Sequence, residues 1–147
     1  MRRPLIAGNW KMNLTRSEAV ELATAVAATK LDGRVDVLVC PTFVHLDAVL
    51  DAAKGSDVAV GSQDCYFESN GAFTGETSTA MLRDLGCSHV ILGHSERRNV
   101  IGETNELINA KVKAVLAAGL TPVLCCGELL EEREADQTME KMKMIMM

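Results

Sequence analysis

His94 lies in the run Gly93-His94-Ser95-Glu96-Arg97-Arg98, directly after the apolar triplet Val90-Ile91-Leu92. A short β-branched run followed by charge reads as a buried strand that leaves its sheet at Gly93. His94 then stands at a strand's carboxyl end, where parallel α/β sheets gather their active sites. Ser95 is expected to cap a short helix beginning at Arg97-Arg98. The positive end of a helix dipole disfavours an imidazolium, so the ring is expected to be neutral and to donate a hydrogen bond. Such a ring can polarise a carbonyl and move a proton between neighbouring oxygens. Taken alone, the tripeptide also fits an ordinary core or surface histidine. The start of the chain changes that balance. In Gly8-Asn9-Trp10-Lys11-Met12-Asn13, Asn9 and Lys11 follow a first apolar strand and are two residues apart. In extended chain that spacing points both side chains to one side. An amide and an ammonium then share a pocket with His94, and a lysine there attracts a phosphate or a developing oxyanion.

The elements that would hold these groups alternate. Leu5 to Gly8 reads as a first strand, and Thr15-x-x-Glu18 has the form of a capping box opening a helix with apolar positions at Ala19, Leu22, Ala23, Val26 and Ala27. Val35–Cys40 is a second strand. Thr42 is expected to cap a helix through Leu46, Val49 and Leu50, and Val58–Val60 is a third strand. The polar stretch 63–75 is long for a connection from strand to helix. Ser78–Leu85 is a third helix and His89–Leu92 a fourth strand. Asn105–Ala118 is a fourth helix, with Ile108, Val112, Val115 and Leu116 on one side and Lys111 and Lys113 on the other. Thr121–Cys125 is a fifth strand, and Leu129–Met147 reads as one fraying helix. Glycines at 33, 55, 86 and 119 stand at or near the helix ends, as left-handed caps require. This alternation implies an α/β fold with a parallel sheet, either an open sheet or a barrel.

The chain has 147 residues, a net charge of −5 and 48% hydrophobic residues, which suits one globular domain with an aliphatic core. The acidic balance argues against nucleic acid or an anionic membrane as partner. No apolar run is long enough to span a bilayer, and the first residues are too short for a signal-peptide core. Five cysteines with no zinc-like spacing suggest reduced thiols and a cytoplasmic location. His45 and His89 read as structural, and no two histidines have the helical spacing of metal ligands. Residues 138–147 form an atypical methionine-rich tail, either an adhesive helix or an altered coding end.

The runs Gly8–Asn13, Gly61-Ser62-Gln63-Asp64, Gly71–Glu76, Val90–Arg98 and Cys125–Glu128 occur in an order that resembles the triosephosphate isomerase family, from Arg3 to about Gln137. The resemblance implies a partial (β/α)8 barrel, from the first strand to the fifth plus the start of the fifth helix. It implies an isomerase of small phosphorylated trioses that needs no cofactor or metal. His94 matches the family's electrophile, Lys11 its substrate-binding lysine and Asn9 the polar residue beside it. Ser95 and Glu96 match supporting positions, Glu96 as a carboxylate near Lys11 that is either structural or catalytic. Arg98 looks structural, and Cys125 matches a buried packing residue. Phe73, Thr74 and Gly75 match the tip of the loop that enters the neighbouring subunit of family dimers.

The family's catalytic base is a glutamate after a sixth strand, and its phosphate loops follow strands seven and eight; none has a counterpart here. The chain is therefore expected to be truncated relative to the family and inactive alone. The five strands are expected in the order 1-2-3-4-5, with open edges at strands one and five. An inward face of Ile6, Val37, Val39, Val60, Ile91 or Leu92, and Val123 is expected to lose its opposite wall. From that follows a homo-oligomer, a dimer or larger.

Overall fold

The computed structural model describes residues 2–146. Strands β1 (Leu5–Asn9), β2 (Asp36–Cys40), β3 (Val58–Ser62), β4 (His89–Leu92) and β5 (Thr121–Leu124) form one parallel sheet in the order β1-β2-β3-β4-β5. Helices α1 (Arg16–Ala27), α2 (Leu46–Ala53), α3 (Thr79–Leu85) and α4 (Asn105–Ala117) connect them, and α5 (Leu130–Glu134) and α6 (Thr138–Met146) follow. Five parallel strands with alternating helices make a curled partial (β/α)8 barrel.

Local chemistry sets most boundaries. Thr15 and Glu18 close a reciprocal capping box at α1, Ser78 caps α3, and Thr104 caps α4 through the Leu107 N–H. Thr42 makes no such bond, and the chain first takes a 3-10 turn over Phe43–His45 before α2 begins. In that turn the His45 ring Nε2 donates to the Leu14 carbonyl at 3.0 Å. The expected single helix at 129–147 is two, broken where Asp136 takes φ 58°. Met147 lies outside the described residues.

The main core lies between sheet and helices. Val39, Val60, Val90 and Leu92 pack there against Ala19, Ala23, Leu46, Val49, Leu82 and Val115. A second cluster, Leu38, Cys40 and Ile91 with Ala59, Val123 and Cys125, occupies the opposite face. This corrects the expected inward face. Val37, Val39 and Val60 face the helices, Ile6 pairs in register with Val37, and of the expected residues only Ile91 and Val123 point inward. Both faces of these strands are apolar, so alternation does not reveal which is inner. The inner residues Leu38, Cys40 and Ile91 are buried even without an opposite wall, because they cluster over small residues of β3. Gly61 is one of these: a Cβ there would lie 2.8 Å from the His89 carbonyl oxygen. The surface left open is at the edge, where Leu5, Ile6 and Leu124 are exposed. Among the described residues no helix is long and apolar enough to cross a membrane.

Candidate active site

β1 ends on Asn9, and the Trp10 N–H extends the ladder to the Cys40 carbonyl. The chain then turns sharply. Lys11 takes φ 57°, a left-handed conformation uncommon for a lysine. Two contacts hold it there: the Lys11 N–H donates to Asn9 Oδ1 at 3.0 Å, and Gln63 Nε2 donates to the Lys11 carbonyl at 2.9 Å. Asn9 thus serves the turn through its oxygen, as asparagines do in Asx turns. The Lys11 ammonium reaches across the sheet and donates to Glu96 Oε1 at 2.6 Å.

β4 ends at Leu92, and Gly93 turns the chain with φ 67°. The His94 carbonyl accepts from the Arg97 and Arg98 N–H groups at 2.9 and 3.1 Å. The helical turn therefore begins at Ser95, with His94 at its boundary, which corrects the expectation that Ser95 is the cap. The capping side chain is the imidazole: Nδ1 accepts from the Glu96 N–H at 3.3 Å. Glu96 Oε2 also lies 3.3 Å from Nδ1, with no hydrogen bond between them. Because a backbone N–H can only donate, Nδ1 is an acceptor, and the proton of the neutral ring sits on Nε2. Residues 97–101 then widen into a π-type turn, a form frequent at functional sites.

Glu96 joins the two strand ends, with Oε1 on Lys11 and Oε2 beside His94. The Lys11 hydrogen bond holds its carboxyl below the usual glutamate value. Asn9, Lys11, His94 and Glu96 thus meet on one rim, as the sequence predicts. Ser95 is exposed beside them. Arg98 has the structural role expected of it: Nε donates to the Gly93 carbonyl, Nη1 to Asn105 Oδ1 and Nη2 to the Cys125 carbonyl. A Cβ at Gly93 would lie 2.7 Å from Arg98 Nη2 and take a left-handed φ, so any other residue is strained there and displaces the guanidinium. His94 and Ser95 line a cleft of about 470 Å³ together with Arg98, Cys126 and Lys141. Asn9 and Lys11 lie outside that lining.

A second ionic cluster lies beneath the rim. Lys111 Nζ donates to both Asp64 oxygens at 2.9 and 3.1 Å, and Arg97 binds Glu103 Oε2 at 2.6 Å and Asp64 Oδ2 at 3.1 Å. Glu103 Oε1 lies 3.2 Å from Lys111 Nζ, close enough for an ion pair, but accepts no hydrogen bond. Burial pushes the Asp64 carboxyl up, against the pull of Lys111 and Arg97. Lys111, expected on the side of α4 opposite Ile108, Val112, Val115 and Leu116, is buried. Its spacing held the signal, since residues 108, 111 and 115 follow one helical stripe. Gln63, Asp64, Arg97 and Glu103 are further residues to which the sequence assigns no role.

The loop after Asp64 closes on itself. The Tyr66 N–H donates to the Thr77 carbonyl at 2.8 Å, and the Tyr66 and Phe73 rings lie 4.6 Å apart. Phe73, Thr74 and Gly75 form an exposed tip. Burial pushes the Cys40 and Cys65 thiols up to about 12 and Cys87 to about 11. Cys125 is half-buried rather than fully packed, and Cys126 is exposed. Among the described residues no three His, Cys, Asp or Glu side chains gather as metal ligands would.

The family model described as triosephosphate isomerase matches residues 4–146. A triosephosphate isomerase of Magnetococcus marinus is 58% identical over 144 residues, covering 95% of this chain and 56% of the relative. Those of Endomicrobium trichonymphae and Clostridium acetobutylicum are 55% and 53% identical, covering 94% and 95% of this chain and 56% of each relative. The chain spans about half the length of the curated relatives it matches.

Proposed function

Because the chain belongs to the triosephosphate isomerase family, we propose that it takes part in interconverting D-glyceraldehyde 3-phosphate and dihydroxyacetone phosphate. This is the cytoplasmic step of glycolysis and gluconeogenesis, and it needs neither cofactor nor metal. The carrying observation is the Glu96 bridge, which brings a lysine and a histidine from two strand ends to one rim. Triosephosphate isomerases are themselves the standing instance of a neutral histidine used as an electrophile. With its proton on Nε2, His94 can donate to a carbonyl oxygen and stabilise the charge that develops there. Lys11 supplies the positive charge that an anionic substrate needs, and Asn9 keeps its turn in place.

The 147 residues hold the electrophile and the cation. In the family the base follows a sixth strand, and the described residues form five. General-base catalysis is worth about 10²–10⁴-fold, and phosphate binding adds to it. Assayed by itself, the 147-residue chain is expected to turn over very little substrate. Turnover within about tenfold of an intact relative, lost on His94→Gln, would show that these residues suffice.

A second reading, a non-catalytic half-barrel that associates with itself, is favoured by the exposed edge residues Leu5, Ile6 and Leu124. An isomerase assay separates the two, and sedimentation over a wide concentration range tests the self-association. A dimer or larger assembly is expected from the open edges, and a cooperative monomer at micromolar concentration would exclude it.

A further inference from the structure

We propose that Gln63 and Asp64, at the carboxyl end of β3, are positioning residues that set Lys11 and His94 relative to one another. The inference rests on the isomerase reading of the rim. Consecutive residues past a strand end project apart, and here each holds a different neighbour. On the β1 side, Gln63 Nε2 donates to the Lys11 carbonyl and the Cys40 carbonyl, both at 2.9 Å. This contact and Asn9 Oδ1 fix both peptide groups of a lysine in a left-handed conformation. Such a conformation persists only where its surroundings over-determine it. On the β4 side, Asp64 holds the Arg97 guanidinium at 3.1 Å and the buried Lys111 at 2.9 Å. Arg97 in turn gives its backbone N–H to the His94 carbonyl at 2.9 Å. Ser62 Oγ donates to the Asp64 carbonyl at 2.6 Å, which stiffens the fork at its base.

β3 lies between β1 and β4 with β2 on one side, so no direct ladder joins the ends that carry Lys11 and His94. The fork spans that gap from the middle. Glu96 closes it from above, but through exposed side chains that a ligand can displace. A displacement of about 1 Å in such a constellation costs on the order of 10²-fold in rate, so a rigid spacer has a definite function.

The test reads geometry rather than turnover. In the ¹⁵N-labelled 147-residue chain, the His94 ring nitrogens and the Lys11 ammonium are followed by NMR. Gln63→Glu keeps the shape but loses both donors, and is expected to shift the Lys11 signal and weaken its pairing with Glu96. Asp64→Asn keeps an acceptor but loses the charge that holds Arg97, and is expected to shift the His94 ring signals. Val26→Ala, a core truncation on α1 away from the fork, should move neither. If Asp64→Asn does not fold, Asp64→Glu keeps the charge and displaces Arg97 by one methylene. Unchanged Lys11 and His94 signals in the folded variants, or equal shifts in Val26→Ala, would overturn the proposal. Failure of the isomerase reading would appear only in the assay and leave these signals untouched.

Discussion

The molecule contains two ionic clusters built from the same chemical parts and set to opposite ends. In one, Lys11 and Glu96 meet at 2.6 Å with about half of each side chain in water. In the other, Lys111 meets Asp64 and Glu103 with 2% of its side chain exposed. Distance does not separate them; solvent does. An exposed pair is screened and gains little over its hydrated partners. A buried group has no water to fall back on, so removing one member strands the others. The exposed pair is therefore available to be given up to an anionic ligand, while the buried cluster holds α4, β3 and the His94 turn in one arrangement. Exposed charge stands on top of locked charge.

The largest expected effect tests the locked half. Lys111→Met leaves the buried Asp64 and Glu103 with Arg97 alone between them, and should cost about 3–5 kcal/mol in urea unfolding. That is a large part of a typical margin of about 5–15 kcal/mol. Lys11→Met should leave the urea midpoint within experimental error; equal losses for the two variants would erase the distinction. Next comes the turn between the clusters. Gly93→Ala forces a side chain into φ 67° and against Arg98, and should cost about 1–3 kcal/mol, with the Arg98 Nε signal shifted.

A smaller effect contrasts rim with core through the thiols. Cys126 should react with a disulfide reagent at pH 8 without delay, whereas Cys40, Cys65 and Cys87 should react only through unfolding, because burial raises their pKa values and hides them. Rapid modification of all of them in native buffer would show that the core is loose. The smallest effect is the acid titration of the rim. The folded-state pKa of Glu96 lies below its ordinary value of 4.5. Its pairing therefore stabilises above that pH and is lost as the pH falls through the depressed value. A Glu96 carboxyl signal titrating at or above 4.5 would show that the bridge to Lys11 does not form in solution.

Much of the fold was legible because its signals are local. The capping box at Thr15 and Glu18, the αL glycine after Leu85 and the bounds of β4 each depend on a few adjacent residues. Asn9, Lys11, His94 and Glu96 were legible as a group because strand ends in a parallel sheet share one rim. What was hidden depends on the third dimension. Val37 and Leu38 are equally apolar, so only the finished sheet shows which one faces the helices. Ser95 has the chemistry of a cap, but the imidazole one residue earlier reaches the Glu96 N–H instead. Lys111 was read by its charge, although its place in the stripe with Ile108 and Val115 put it inside. Its partner Asp64 lies 47 positions away.

The backbone at Lys11 narrows what the genetic code can offer there. With φ 57°, position 11 tolerates glycine and asparagine far better than branched or bulky residues. Asparagine is reached from either lysine codon by changing the third base alone. The cheapest mutation at this position is thus also one that the fold accepts, and it removes the cation while leaving the turn intact. Variation at codon 11 should therefore yield chains that fold, pass every quality check that reads folding, and yet present an uncharged rim.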